Sequence, residues 1–154
     1  RFCFEVTETA VIDDPKIALA NIERVRAVGI EISIDDYGSG LSSLSYLKQI
    51  PAQELKIDKS FVLSLKSHSS DALLIKSTID LAHSLGMTVT VEGVETADVL
   101  HLLQAMGADV AQGYHIARPM ALAGMMDFLM AGAVPDKQSV LGGLPSSGNR
   151  KLAR

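Results

Sequence analysis

One cysteine, Cys3, is the entire thiol content of this 154-residue chain. That excludes a disulfide framework and a cysteine-based zinc site, and it fits a reducing, cytoplasmic compartment. Positive charge is also short: 14 Lys and Arg against 18 Asp and Glu leave a formal net charge of −4. A generic nucleic-acid coat or a basic membrane-surface domain is excluded on that ground, although a small anion held through metal ions is not. No apolar run approaches the length of a membrane span, and no signal peptide is visible. An initiating methionine is missing as well. The chain opens on Arg1 and reads at once as a strand, Phe2-Cys3-Phe4-Glu5-Val6, so the expectation is that a longer parent precedes it.

Hydrophobic residues make up 47% of the chain and charged residues 21%, a globular composition with enough length for one compact core. Apolar, β-type runs alternate with amphipathic helical ones. The expected strands are RFCFEV, IEISID, ELKID, MTVTVEG and ADVAQGY. The expected helices run from Thr9 to Val28, Leu41 to Gln49, Ser69 to Leu85, Ala97 to Met106 and Ala121 to Met130. Asp13-Asp14-Pro15 signals a helix start, Thr96 a cap, and Gly29, Gly86 and Gly107 helix stops. Near-continuously apolar strands separated by helices mean a parallel α/β sheet, either doubly wound or a (β/α)8 barrel. From Ala133 the text becomes rich in Gly, Ser and Pro. The expected division is therefore a folded portion, 1–132, and a flexible tail, 133–154.

Charged residues fall at the ends of these strands: Glu5 and Glu8, Asp35 and Asp36, Lys56 and Asp58, Glu92 and Glu95, and the polar Gln112 ends the fifth. In a parallel sheet all strand C-termini open on one side, so these groups converge on one mouth. Four carboxylates, Glu5, Asp35, Asp36 and Glu92, then face Lys56 as the one nearby cation. Such hard oxygen donors suit Mg²⁺ or Mn²⁺, and adjacent aspartates can serve two ions. Two ions can clamp a phosphodiester and acidify a water for in-line attack. A lysine beside them can hold a phosphate oxygen or orient that water, and a remaining glutamate can take the proton.

The stretches FEVTET, DDYGSGLSSLSYL, ELKIDKSFV, VEGVET and AQGYHIARP occur in that order, and the pattern they carry covers most of the chain up to about Met130. Together they resemble the C-terminal part of the EAL domain, the cyclic di-GMP phosphodiesterase family. DDYGSG departs mildly from the family's DDFGTG, and VEGVE from its AEGVE; both changes keep the polar groups. The resemblance implies a TIM-type (β/α)8 barrel, present here as about five βα units. It implies a hydrolase that opens cyclic di-GMP to pGpG with two Mg²⁺ or Mn²⁺ ions, in bacterial signalling. By the resemblance, Glu5 is a metal ligand, Asp35 and Asp36 are the paired ligands, and Lys56 orients the attacking water with Asp58 beside it. Glu92 is the general base and also a metal ligand, Glu95 and Gln112 support the pocket, and Glu8 anchors the loop after the aspartate pair. That loop, Tyr37 to Ser43, links the site to a dimer interface in relatives. The family's signature glutamate and a metal-binding asparagine have no counterpart here, which implies that the isolated chain is inactive. Implied partners are cyclic di-GMP, a second copy of the domain, and sensory or GGDEF-type domains in a parent that can be membrane-anchored; a nucleic-acid polymer is not among them.

Two other readings stand beside this one: an inactive EAL module serving as a cyclic di-GMP receptor or interaction domain, and an unrelated metal-dependent barrel enzyme. Arg118 is read either as a phosphate or guanine contact or as a structural residue before Pro119. His68, His83, His101 and His115 lack ligand spacing and are read as structural or exposed. Cys3 is expected to be a buried, small apolar residue. Met106, Met120, Met125, Met126 and Met130 are expected in the core or on helix faces.

Overall fold

A computed structural model describes residues 2–7, 10, 14–38, 47–65 and 69–131. The chain divides into two compact units, Arg1–Arg118 and Pro119–Arg154. In the first, the strands are β1 (Cys3–Thr7), β2 (Glu31–Tyr37), β3 (Glu54–Ile57), β4 (Thr88–Val91) and β5 (Val110–Ala111). The helices between them are α1 (Pro15–Ala27), α2 (Lys59–Ser64), α3 (Ser69–Ser84) and α4 (Ala97–Met106). The second unit contains α5 (Leu122–Met130). All pairings are parallel, in the order β1-β2-β3-β4-β5. This is the parallel strand order of the TIM-type (β/α)8 barrel, with five consecutive strands among the described residues.

Sequence chemistry accounts for the element ends. Asp14 caps α1, its Oδ1 accepting from Ile17 N at 3.2 Å, and Pro15 occupies the first turn where no donor is needed. Arg24 and Arg26 sit in the last turn of α1, where a helix dipole favours cations. Thr96 caps α4 through Val99 N, and Gly107 closes that helix. α4 runs over the expected residues. The fifth strand is only Val110–Ala111, shorter than ADVAQGY, because the chain turns at Gly113 to pack on the Val94 backbone. The short α2 has no counterpart in the sequence reading; its signal was Asp58, which accepts from Ser60 N at 2.9 Å as its N-cap. Of the expected Leu41–Gln49 helix, 41–46 lie outside the described residues, as does the tail 133–154; Leu47 is helical and 48–49 form a turn.

Alternation along the strands sorts the side chains. Ile32 and Ile34, Leu55 and Ile57, and Val89 and Val91 all point to the helix side and are 0–1% exposed. They pack with Ile75, Ile79 and Leu103 into one core. Each such side chain stabilises the fold by about 1.5–3 kcal/mol relative to exposure. The opposite face carries the polar residues. Cys3 is on that face with Glu5, two positions along β1, and it is exposed rather than buried. The expectation of an apolar role fails because its neighbours there are carboxylates. Burial first, then Glu54, Glu31 and Glu5, push its thiol pKa up.

Candidate active site

The polar face of the sheet converges on Lys56. This residue lies in the centre of β3, flanked by β2 and β4, and is 7% exposed. Its Nζ lies 2.9 Å from Glu5 Oε1, 2.9 Å from Asp35 Oδ1 and 2.7 Å from Glu92 Oε1. Three strands and the segment after a fourth thus bring one ammonium and three carboxylates to one point. Burial disfavours the charged amine, but the close pairing with Glu92, Glu5 and Asp35 outweighs it and holds its pKa above the ordinary lysine value. Lys56 therefore keeps its proton through the neutral range. Asp35 Oδ1 is buried and close in charge, yet it lacks a well-directed hydrogen bond.

The aspartate pair depends on an irregularity in β2. Ile34 pairs with Leu55 and Tyr37 with Ile57, so Asp35 and Asp36 together oppose the single residue Lys56. This is a β-bulge, uncommon in parallel pairs. Asp36 takes up the extra residue with φ 54°, a left-handed conformation that Asp tolerates better than most side chains. Regular alternation would send adjacent side chains to opposite faces. The bulge breaks that alternation at the mouth and returns Tyr37 to the core side with Ile57.

Glu92 follows β4 and continues its pairing, its N–H donating to Ile57 O at 3.1 Å. The next residue, Gly93, has φ 75°, and a Cβ there would lie 2.5 Å from Lys59 Cβ. Only glycine allows this close approach. One layer further from the mouth, the Thr90 hydroxyl donates to Glu54. This pair was not singled out from the sequence, because neither residue ends a strand.

Not every expected residue joins the cluster. Asp36, Glu95 and Gln112 are exposed and make no ion pair with Lys56. Gln112 uses its backbone instead, donating to Val91 O and accepting from Val94 N. Asp58 is engaged as the cap of α2, and the Ser60 hydrogen bonds hold its carboxyl below the usual range. Glu8 lies outside the described residues, as do His68 and most of the loop 37–43. Arg118 stacks over the Tyr114 ring at 4.4 Å. His83, His101 and His115 are exposed, and His83 Nε2 lies 2.8 Å from Asp109 Oδ2.

As to metals, the donor chemistry fits: Glu5, Asp35 and Glu92 present hard oxygens within reach of one point, and Asp35 Oδ1 retains unsatisfied acceptor capacity. Among the described residues, however, no three acidic, cysteine or histidine side chains already form a metal cage. The carboxylates are spaced around the lysine. Nor is any described helix long and apolar enough to cross a membrane.

The model of the EAL domain family matches residues 1–119. The chain is 41% identical over 116 residues to MucR of Pseudomonas aeruginosa, a bifunctional diguanylate cyclase/cyclic di-GMP phosphodiesterase, covering 75% of this chain and 17% of that protein. It is 38% identical over 125 residues to the cyclic di-GMP phosphodiesterase RocR of the same species, covering 81% of this chain and 32% of RocR. The solved complex of the PaMucR phosphodiesterase with c-di-GMP superposes with a TM-score of 0.76 at 39% identity, over 80% of this chain and 50% of that one. This chain thus spans half or less of each.

Proposed function

This chain belongs to the EAL domain family, and from that premise we propose that it carries the metal-binding and catalytic residues of a phosphodiesterase that hydrolyses cyclic di-GMP to linear pGpG. The observation that supports this most is the buried Lys56 ammonium held by Glu5, Asp35 and Glu92 where the strand C-termini open. Relatives named as cyclic di-GMP phosphodiesterases, and a neighbour solved with c-di-GMP, supply the substrate class.

Glu5, Asp35, Asp36 and Glu92 would hold two Mg²⁺ or Mn²⁺ ions. Such ions supply charge neutralisation at a phosphodiester and lower the pKa of water. The rest falls to the chain's own residues. Lys56, an ammonium paired with three carboxylates, is suited to donate a hydrogen bond rather than to take a proton. It acts as a donor, holding a phosphate oxygen or orienting that water. Glu92, 2.7 Å from Lys56 Nζ where β4 ends and the general base that the family resemblance implies, is the proton acceptor of this reading. Homodimer formation through the domain, with GGDEF-type or sensory domains in the same protein, completes the reading.

Hydrolysis of cyclic di-GMP is assayed with Mg²⁺ and Mn²⁺. The 154-residue chain is compared with the same chain extended to the length of its relatives' domain. Turnover by the extended protein, lost by about 10²–10⁴-fold in Glu92→Gln with nucleotide binding retained, supports the proposal. Binding without turnover points instead to a receptor. Neither binding nor turnover overturns both readings.

A further inference from the structure

We infer that Phe61 is a positioning residue whose ring, seated on Gly38, holds Asp36 in its left-handed conformation and thereby keeps Asp35 and Asp36 together opposite Lys56. This deepens the reading above and rests on it only for the purpose the pair serves. The argument begins with the bulge. Ile34 is held by its pairing with Leu55, and Tyr37 by its pairing with Ile57. The stretch between them contains one residue more than β3 provides for. An excess residue in a strand has two outcomes. Either the extra length is absorbed locally in an unfavourable backbone conformation, or the following segment slips by one position and every later side chain changes face.

What prevents the slip lies after the bulge. Tyr37 packs against the core, its O accepts from Asp58 N at 3.5 Å, and Gly38 follows with φ 94°. A Cβ on Gly38 would lie 2.6 Å from Cζ of Phe61, so the ring rests directly on the Gly38 backbone. Phe61 is itself held by α2, whose N-cap is Asp58, and packs against the core. The exit of the aspartate pair is therefore pinned by a ring carried on the segment that directly follows β3, the strand that carries Lys56. The left-handed backbone at Asp36 persists because both flanks are fixed, as strained conformations do only where their surroundings over-determine them. The same contact explains why residue 38 is glycine: an L side chain would meet both the positive φ and the ring.

The test uses the ¹⁵N-labelled 154-residue chain in three forms: wild type, Phe61→Ala and Phe61→Leu. Two measurements are made. The first is the intraresidue HN–Hα nuclear Overhauser effect of Asp36, intense when φ is positive and weak when the backbone is extended. The second is selective line broadening of Asp35 and Asp36 by Mn²⁺ alone. Wild type should show the intense cross-peak. Phe61→Ala should lose it and bind Mn²⁺ about 10–100-fold more weakly, the range for removing a residue that orients a ligand. Phe61→Leu, which keeps part of the apolar cover on Gly38, should bring the cross-peak back only in part, to an intensity between those of the other two forms. It is also the form read if Phe61→Ala does not fold, with intermediate intensity as the expected result. An Asp36 cross-peak of unchanged intensity in whichever of the two variants folds, or an extended Asp36 in wild type, overturns the inference. If the cross-peak responds as expected but Mn²⁺ broadens neither aspartate in wild type, the positioning role stands and the metal reading fails. If Mn²⁺ binds wild type and Phe61→Ala equally, the metal reading stands and the positioning role fails.

Discussion

A single carboxylate can be structural or chemical, and its neighbours decide which. Asp58 caps α2 and its pKa is lowered, chiefly by the Ser60 hydrogen bonds. A depressed folded pKa contributes stability that is fully present above the unfolded value, about 3.9, and is lost as pH falls through the folded one. Asp58→Ala should therefore cost about 0.5–2 kcal/mol at neutral pH. In urea unfolding, the gap from wild type should close as the pH is taken well below 4. A gap unchanged by acid would show that the carboxylate charge is irrelevant there. Lys56 is the opposite case, a cation kept charged by three acids. Removing it as Lys56→Met strands those acids. The loss should stay below roughly 3–5 kcal/mol, the range for a fully buried pair, because Glu5 is more than half exposed and can rehydrate. Chemical denaturation of that variant measures it.

At the scale of elements, short connections hold the strands in register. Asp109, just before β5, accepts from Val89 N at 2.7 Å through Oδ2, while its own N–H donates to Val89 O at 3.1 Å. His83 from the last turn of α3 reaches the same Oδ2. One side chain thus ties α3, β4 and the entry to β5 together. Asp109→Ala would leave the Val89 N–H without its acceptor, at a cost of about 1–3 kcal/mol. Faster amide exchange at Ala111 and Gln112, relative to the α4 amides, is the expected signature. The turn after β4 is equally constrained. Gly93→Ala should destabilise by more than about 1–2 kcal/mol, because the left-handed conformation and the contact with Lys59 act together. A melting temperature within a degree of wild type would contradict that.

Over the molecule as a whole, burial is steeply graded. In the first unit, β2, β3 and β4 carry side chains at 0–1% exposure, whereas Phe4 on β1 and Phe2 just before it are 53% and 81% exposed. β1 and β5 each pair on one side only among the described residues. In the second unit, α5 exposes Leu122, Met125, Met126, Leu129 and Met130. Local opening follows contact density, so hydrogen exchange should be slowest at Leu55, Ile57 and Val91 and fastest along β1 and α5. Protection of β1 equal to that of β3 would mean that another strand pairs with its open edge in solution.

The order of elements and the positions of the charged residues were legible in the sequence. Apolar periodicity, capping residues and helix-stopping glycines are local signals, and parallel topology follows from alternation of strand and helix. That logic located Glu5, Asp35, Lys56 and Glu92 at one mouth before any coordinates. It could not show that Lys56 takes all three carboxylates, because that depends on the lean of side chains across β1 to β4. It misjudged Cys3, whose small apolar character says nothing about which face of β1 it shares. It missed α2, because six residues carry too little periodicity to read. Above all, the doublet Asp35-Asp36 was visible as text, but not the register shift that sets both residues opposite Lys56. A bulge arises from a mismatch in residue count between two strands, and only their pairing in the fold makes that mismatch exist.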